Sequence, residues 1–366
     1  PETQQEPLDP VEEHRLRTQL RQTSQRLKAA HDEILRLRGI AGIAEQISDS
    51  HTAPKVLPTR GAGPKRHGTA VLQWSDWHVE ETVEAEKVND LNSYSLDVAQ
   101  KRIHSLVEGC LWLLEMHATR WHLDAVVIHL GGDLITGWIH EELTQTGALS
   151  PIEATLWVKA QVCAALDTMR EKAPTDSIRV VCSPGNHGRT TRRSQSANMA
   201  ETSYEWGLYS DLVSRYADDA KLHVEASRAI WTYVDAYDYT VRFGHGDKIN
   251  YQGGVGGITI PLNKAIARLD EGRRADWTAI GHFHQLGFYP RAVVNGSLIG
   301  DTPWGLAYGH QTPQQAYWLI DAERGRTAQH AVWVSDRNQP RVTRRESPTP
   351  EQWRRQTIIR RPKSRP

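Results

Sequence analysis

Five short motifs in this chain carry residue types that can bind metal ions. Ser75-Asp76-Trp77-His78 follows the apolar run Ala70-Val71-Leu72-Gln73-Trp74, and Gly131-Gly132-Asp133 follows Ala125 to Leu130. Gly185-Asn186-His187 follows Ile178 to Cys182, Gly244-His245 follows Tyr239 to Phe243, and Gly281-His282-Phe283-His284 follows Trp277 to Ile280. A strand that ends in Asp-x-His delivers a carboxylate and an imidazole to one point on its C-terminal edge. One such pair arises easily by chance. Repetition after five strand-like runs is hard to read as packing.

Two metal ions about 3.5–4 Å apart need a bridging carboxylate with further N and O ligands around it. Carboxylate, amide oxygen and imidazole together suit Mn²⁺, Fe or Zn²⁺, and the lack of Cys in all five motifs argues against a soft structural zinc site. Each motif lies just past an expected strand, where an α/β sheet places its active site. Gly before Asp133, His245 and His282 is expected to permit the tight turn that aims the next side chain into the crevice.

The elements that must position these groups can be taken in order. Residues 1–47 are expected to be dominated by one helix, from about Pro10 to Ile47. Leu16, Leu20, Thr23, Leu27, Ala30, Ile34 and Leu37 are spaced 4-3-4-3-4-3 along it, a coiled-coil-like seam with charged flanks. Residues 48–68, with Pro54, Pro58 and Pro64 among glycines, have linker composition. The body, 69–334, alternates strands with helices over about Ser95–Trp121 and Pro151–Lys172, which indicates α/β units. A helix from about Met199 to Ala217 follows. Runs at Leu222–Glu225, Ile230–Val234 and Tyr239–Phe243 then predict the second half of a sheet, joined by hairpins. Gly253 to Gly257 form a Gly-rich loop ahead of a helix over Pro261–Leu269. Without a Lys and Ser/Thr it is no P-loop, and it reads as a flexible connection. Further strands are expected near Ala279, Ala292, Ala316 to Ile320 and Ala331. Residues 335–366 read as a basic, extended tail.

Charge and composition narrow the class. The 366 residues hold 44 Lys+Arg and 44 Asp+Glu, so overall charge indicates no partner. The tail is different: from Asp336 to Pro366 it has ten Lys/Arg against three acidic residues, a composition suited to an acidic surface such as nucleic acid. Cys110, Cys163 and Cys182 are unclustered and read as core thiols of a reducing compartment. No run approaches the roughly 18 apolar residues of a membrane span, and the start of the chain is charged rather than signal-like. A cytoplasmic protein with no membrane partner is the expectation.

In type and order the five motifs resemble those of the calcineurin-like metallophosphoesterase superfamily, D-x-H, G-D, G-N-H-[D/E], H and G-H-x-H. The resemblance covers about Thr69 to Val334. It implies an α/β fold, a two-sheet metallophosphoesterase sandwich flanked by helices. It also implies two divalent metal ions, Mn²⁺ first, with Mg²⁺, Fe or Zn²⁺ as alternatives. Asp76, His78 and His284 would hold one ion, Asn186, His245 and His282 the other, and Asp133 would bridge them. A hydroxide between the ions would attack phosphorus, and His187, beside the metals, would stabilise the transition state or protonate the leaving oxygen. Gly188 departs from the pattern, which usually has Asp or Glu there to orient the histidine. His140, Glu141 and Asp247 are position-based alternatives for that task.

The expected reaction is metal-dependent phosphoester hydrolysis. Arg189, Arg192 and Arg193 follow His187 directly, and Arg suits phosphate contacts. With the basic tail and a helix that could form a homo-oligomer, they make a nuclease or phosphodiesterase acting on nucleic acid the first expectation. Nuclease-like metallophosphoesterases of bacteriophages offer a softer resemblance in the same direction. A phosphomonoesterase and a scaffold that keeps the fold without needing catalysis are the alternatives. His129, Trp74, Trp77 and Trp138 are read either as crevice walls or as core.

Overall fold

The structure is a computed structural model, and it describes residues 9–49, 64–251, 257–307, 309–310 and 312–335. Most of the expected linker, most of the Gly253–Gly257 loop and nearly all of the basic tail lie outside the described residues. The chain divides into two units, Pro1–Pro64 and Lys65–Pro366.

The first unit contains one long helix, α1 (Pro10–Asp49). Its seam side chains are exposed, with Leu20 and Leu27 each at 72%.

In the second unit, a six-stranded sheet has the order β11-β10-β1-β2-β3-β4. Its strands are β1 (Arg66–Trp74), β2 (Trp121–Leu130), β3 (Ile178–Cys182), β4 (Leu222–Ala226), β10 (Gln314–Asp321) and β11 (Gly325–Trp333). β1 to β4 run parallel, while β10 and β11 join antiparallel at one side. The second sheet has the order β5-β6-β7-β9-β8. It comprises β5 (Thr232–Ala236), β6 (Tyr239–Phe243), β7 (Trp277–Ile280), β8 (Gly287–Tyr289) and β9 (Ala292–Val294). The helices are α2 (Leu96–Ala118), α3 (Leu143–Thr146), α4 (Pro151–Lys172), α5 (Tyr204–Arg215), α6 (Thr259–Gly272) and α7 (Pro303–Leu306).

The period-2 alternation of strand side chains builds the layers. In β1, Ala70, Leu72 and Trp74 face a core shared with Leu106, Cys110 and Leu114 of α2 and Val158 and Val162 of α4. Val71 faces the other way, into a core with Val127, Val241, Phe243, Ala279 and Trp318 that joins the two sheets. Leu262 and Ile266 of α6 cover the far face of the second sheet against Ile280 and Val294. The body is therefore a two-sheet α/β sandwich with helices on both outer faces, as expected.

Several sequence-based boundaries move. α2 ends at Ala118, where Thr119 Oγ1 turns back to Met116 O at 2.7 Å, and Trp121 opens β2 instead of closing the helix. α5 starts at Tyr204 and not near Met199, because the Ser203 side chain accepts from Glu205 N and caps it there. The run at Leu222 is not part of the second sheet. α5 makes the crossover that lays β4 parallel to β3, and only β5 and β6 form the expected hairpin. Pro151 does open α4, inside a capping box of Ser150 and Glu153. His129, Trp74 and Trp77 are fully buried core residues, whereas Trp138 is 55% exposed. The three cysteines are free. No described helix is long and apolar enough to cross a membrane.

A buried arginine ties the segment after β9 to α2. Arg102 donates to Leu298 O at 2.8 Å, Ile299 O at 2.6 Å and Asn92 Oδ1 at 2.7 Å. Leu298 N in turn donates to Asp76 O at 3.0 Å, so the clamp ends on the first motif. Arg102→Ala strands these buried acceptors and is expected to cost about 3 kcal/mol. Thermal denaturation should then show Tm lower by about 5 °C or more, and an unchanged Tm would contradict this role.

Candidate metal centre and active site

The five motif loops meet where the C-terminal ends of β1, β2, β3, β6 and β7 approach one another. Backbone bonds hold the first two loops together. Asp76 N donates to Gly132 O at 3.0 Å, and Trp77 N and His78 N donate to Asp133 O at 2.8 and 3.1 Å. His282 N donates to Asp76 Oδ1 at 2.9 Å, and Gly281 N to His245 O at 2.8 Å, which brings in the last two motifs.

Five of the expected ligands sit in the left-handed backbone region: Asp76 (φ 57°), His78 (48°), Asp133 (51°), His282 (70°) and His284 (55°). Such conformations cost on the order of 1 kcal/mol or more each, and they persist where the surroundings over-determine them. This revises the role expected of the preceding glycines. Only Gly132, with φ 85°, supplies a positive-φ turn before a ligand. Gly281 is needed for space instead, because a Cβ there would fall on Asp76 Oδ2 and Ser75 Oγ.

Two groups of ligand atoms result, each lying within 4.8 Å of one another: Asp76, His78 and His284, and Asp133, His245 and His282. In the first, His284 Nε2 is 3.4 Å from Asp76 Oδ1 and 3.2 Å from His78 Nε2. In the second, His245 Nε2 is 2.9 Å from Asp133 Oδ2 and 3.1 Å from Asn186 Oδ1. The His245 and His282 rings are 5.1 Å apart. Asp76 and Asp133 are at most 1% exposed.

The electrostatics of these groups test their fit to a cation. His245 Nδ1 donates to Gly131 O at 2.7 Å, so its Nε2 faces two oxygens that both accept. Burial alone would push this imidazolium down, but the Asp133 carboxylate lifts it to about 10. Two accepting oxygens at Nε2 suit either a proton or a metal ion there. Burial alone would raise the Asp133 carboxyl, yet His245 and His187 hold it well below the usual carboxylate range. Burial, with His187 and His284 as neighbours, keeps His78 neutral, the form in which imidazole binds metal. Burial, with His245 beside it, pushes His282 down to about 4. Buried carboxylates, imidazoles and an amide oxygen make a donor set that fits a pair of divalent cations.

His187 lies beside this cluster, its ring 4.7 Å from that of His78. Its backbone N donates to Asp133 Oδ1 at 2.8 Å, and its Nδ1 donates to Thr136 O at 3.0 Å. The group that orients His187 is thus a backbone carbonyl. His140 and Glu141 are exposed, and Asp247 pairs with Lys248 at 2.8 Å. Glu80 fixes the orienting turn, its Oε1 accepting from Thr136 N at 2.8 Å and Gly137 N at 2.7 Å. Sequence reading missed both Thr136 and Glu80. Glu80 shares residues 80–86 with Glu81, Glu84 and Glu86, and nothing in the sequence singles it out among them.

A second unforeseen group is Glu205, 0% exposed, which accepts from Leu134 N at 2.6 Å and Gly185 N at 2.7 Å. Behind Asp76, a buried amide network holds β1. Asn295 Nδ2 donates to Ser75 Oγ at 2.9 Å, Gln315 Oε1 accepts from Ser75 N at 2.9 Å, and Ser75 Oγ donates to Asp76 Oδ2 at 2.5 Å.

The three arginines expected to contact substrate separate. Arg189 is half-buried and serves its own loop, donating to Asn186 O at 2.7 Å and Thr191 O at 3.2 Å. Arg192 and Arg193 are exposed.

A two-sheet α/β sandwich that gathers Asp, Asn and His from five strand ends is the arrangement expected from the resemblance to the calcineurin-like metallophosphoesterases. No protein-family model matches the chain, and no curated protein matches it. Among solved structures it is similar to Vps29 from Entamoeba histolytica in complex with Zn²⁺, at 11% identity over 72% of this chain and 99% of that one, with a TM-score of 0.29. It is also similar to YfcE, a phosphoesterase from E. coli, at 14% identity over 72% of this chain and 99% of that one (TM-score 0.28). A hypothetical protein from Pyrococcus horikoshii shares 12% identity over 73% of this chain and 89% of its own (TM-score 0.36). These likenesses are distant, and the functional reading rests on this chain's own residues.

Proposed function

We propose that the protein is a two-metal phosphoester hydrolase whose substrates are the phosphodiesters of nucleic acid. The observation that carries the reaction class is the convergence of two carboxylate–imidazole groups, Asp76/His78/His284 and Asp133/His245/His282, with His187 at their side. Two divalent cations held there, Mn²⁺ first among them, would neutralise charge on the phosphoryl oxygens and lower the pKa of the attacking water. The chain's own residues do the rest. Asp133 and Asp76 fix the loops as well as offering ligand oxygens. His187 has its Nδ1–H engaged by Thr136 O, so it would protonate the leaving oxygen from Nε2 only as the imidazolium, a form that burial disfavours and the nearby Asp133 carboxylate favours.

Two features favour nucleic acid over a phosphomonoester. Exposed Arg192 and Arg193 lie a few residues past His187 and are free to reach along a phosphate chain. Exposed Trp138, two residues beyond Thr136, offers a face on which a base can stack. The test is Mn²⁺-supplemented hydrolysis of single- and double-stranded DNA and RNA beside chromogenic phosphodiesters and phosphomonoesters, with DNA binding measured across salt. Binding should weaken steeply with salt, and the Arg192→Ala/Arg193→Ala variant should lower the log K against log salt slope by about 2. The same variant should leave a small chromogenic diester unaffected. Faster turnover of the phosphomonoester, or equal rates on every diester with salt-independent binding, would remove nucleic acid as the substrate.

A further inference from the structure

Gly188 stands where the resembled pattern has an acidic residue, and the space beside it is filled from another element. A Cβ at Gly188 would lie 3.0 Å from Glu205 Cγ, 3.3 Å from Glu205 Cδ and 3.1 Å from Ser203 Oγ. Glu205 sits in the first turn of α5, and the chain returns to the His187 loop to put it there. Tyr204 N donates to Gly188 O at 2.8 Å, and Thr190 N to Thr202 O at 2.7 Å. Its two carboxylate oxygens then divide between two motif loops. Oε1 accepts from Leu134 N, directly after Asp133, and Oε2 from Gly185 N, directly before Asn186. These loops press so closely that a Cβ on Gly185 would fall on the Asp133 carboxylate.

We propose that Glu205 is a positioning residue of the site, a carboxylate delivered from α5 into the space an acidic side chain at position 188 would fill. Its task is to staple the Asp133 loop to the Asn186–His187 loop. The absence of a side chain at 188 and the presence of Glu205 are two halves of one arrangement, since a Cβ at 188 already presses on Glu205 Cγ at 3.0 Å. The inference rests on the metal-centre reading only for its catalytic consequence, because the staple itself is a matter of two backbone N–H groups.

A paired exchange tests it. Glu205→Ala should lower kcat on a chromogenic phosphodiester about 100-fold, weaken Mn²⁺ binding in equilibrium dialysis, and leave KM within a few-fold. Hydrogen exchange followed by mass spectrometry should show the peptides around Leu134 and Gly185 losing protection. Gly188→Glu alone should be similarly impaired, by collision with Glu205. The double variant Gly188→Glu/Glu205→Ala should recover at least tenfold in kcat over either single change and regain protection at both amides. A double variant no better than the worse single one would overturn the proposal, as would unchanged protection in Glu205→Ala. If the parent protein bound no Mn²⁺ and cleaved no phosphoester, the metal-centre reading would fall, while the exchange data would still decide the staple. Glu205→Gln, which keeps size and one acceptor oxygen, should lie between the parent and Glu205→Ala, and separates loss of the staple from loss of fold.

Discussion

Asp133→Asn is expected to lower kcat/KM for a phosphodiester by at least about 10³-fold, a loss of several kcal/mol of transition-state stabilisation. The substitution keeps the shape of the side chain. The residue's peptide oxygen still accepts from Trp77 N and His78 N, so the loop should keep its path. What it removes is the buried negative charge beside His245, with Oδ2 at 2.9 Å from Nε2, in a pocket that holds His282 within ligand reach. Without that charge the second ligand group is left with neutral donors. Equilibrium dialysis with Mn²⁺ should show fewer ions bound per chain, and circular dichroism should show an unchanged fold. Retention of activity within tenfold of the parent would remove Asp133 from the centre of the site.

His187→Ala should depend on the leaving group. If Nε2 delivers a proton to the departing oxygen, its loss costs on the order of 10²–10⁴-fold for a nucleotide alkoxide, a contribution typical of a positioned general acid. A nitrophenolate leaves without help, so the same variant should lose far less on a nitrophenyl diester. Comparing kcat for the two substrates separates this from simple damage. Equal losses on both would mean that the His187 ring acts by its packing beside His78, and not by moving a proton.

The candidate ligands are legible in the sequence because each is local. Asp76, His78, Asp133, Asn186, His245, His282 and His284 all stand within a few residues of an apolar run, so strand and ligand can be read together. The groups that hold them were not legible, because their partners lie far away in the chain. Glu205 acts on Leu134, 71 positions earlier, and Glu80 acts on Thr136, 56 positions later. Neither relation leaves a local pattern. The glycines show a finer limit. Gly281 announced a special backbone, but the strain resides in His282 and His284, and the glycine serves the approach of Asp76. The hairpin expected at Leu222–Glu225 is absent for a related reason. A five-residue strand has no signature that tells a parallel partner from a hairpin, and its place beside β3 is set by the α5 crossover. At α1 the heptad spacing marked a helix, and its exposed leucines leave self-association as an experiment on oligomeric state.

The most direct test of the central claim is a Mn²⁺ titration of metal-free protein, following bound metal and phosphodiester hydrolysis together. Two ions bound per chain with hydrolysis appearing as they bind, and fewer ions with hydrolysis at least about 10³-fold lower in Asp133→Asn, is the predicted result. Full occupancy without hydrolysis of any phosphoester, or hydrolysis that persists in metal-free protein, would contradict it.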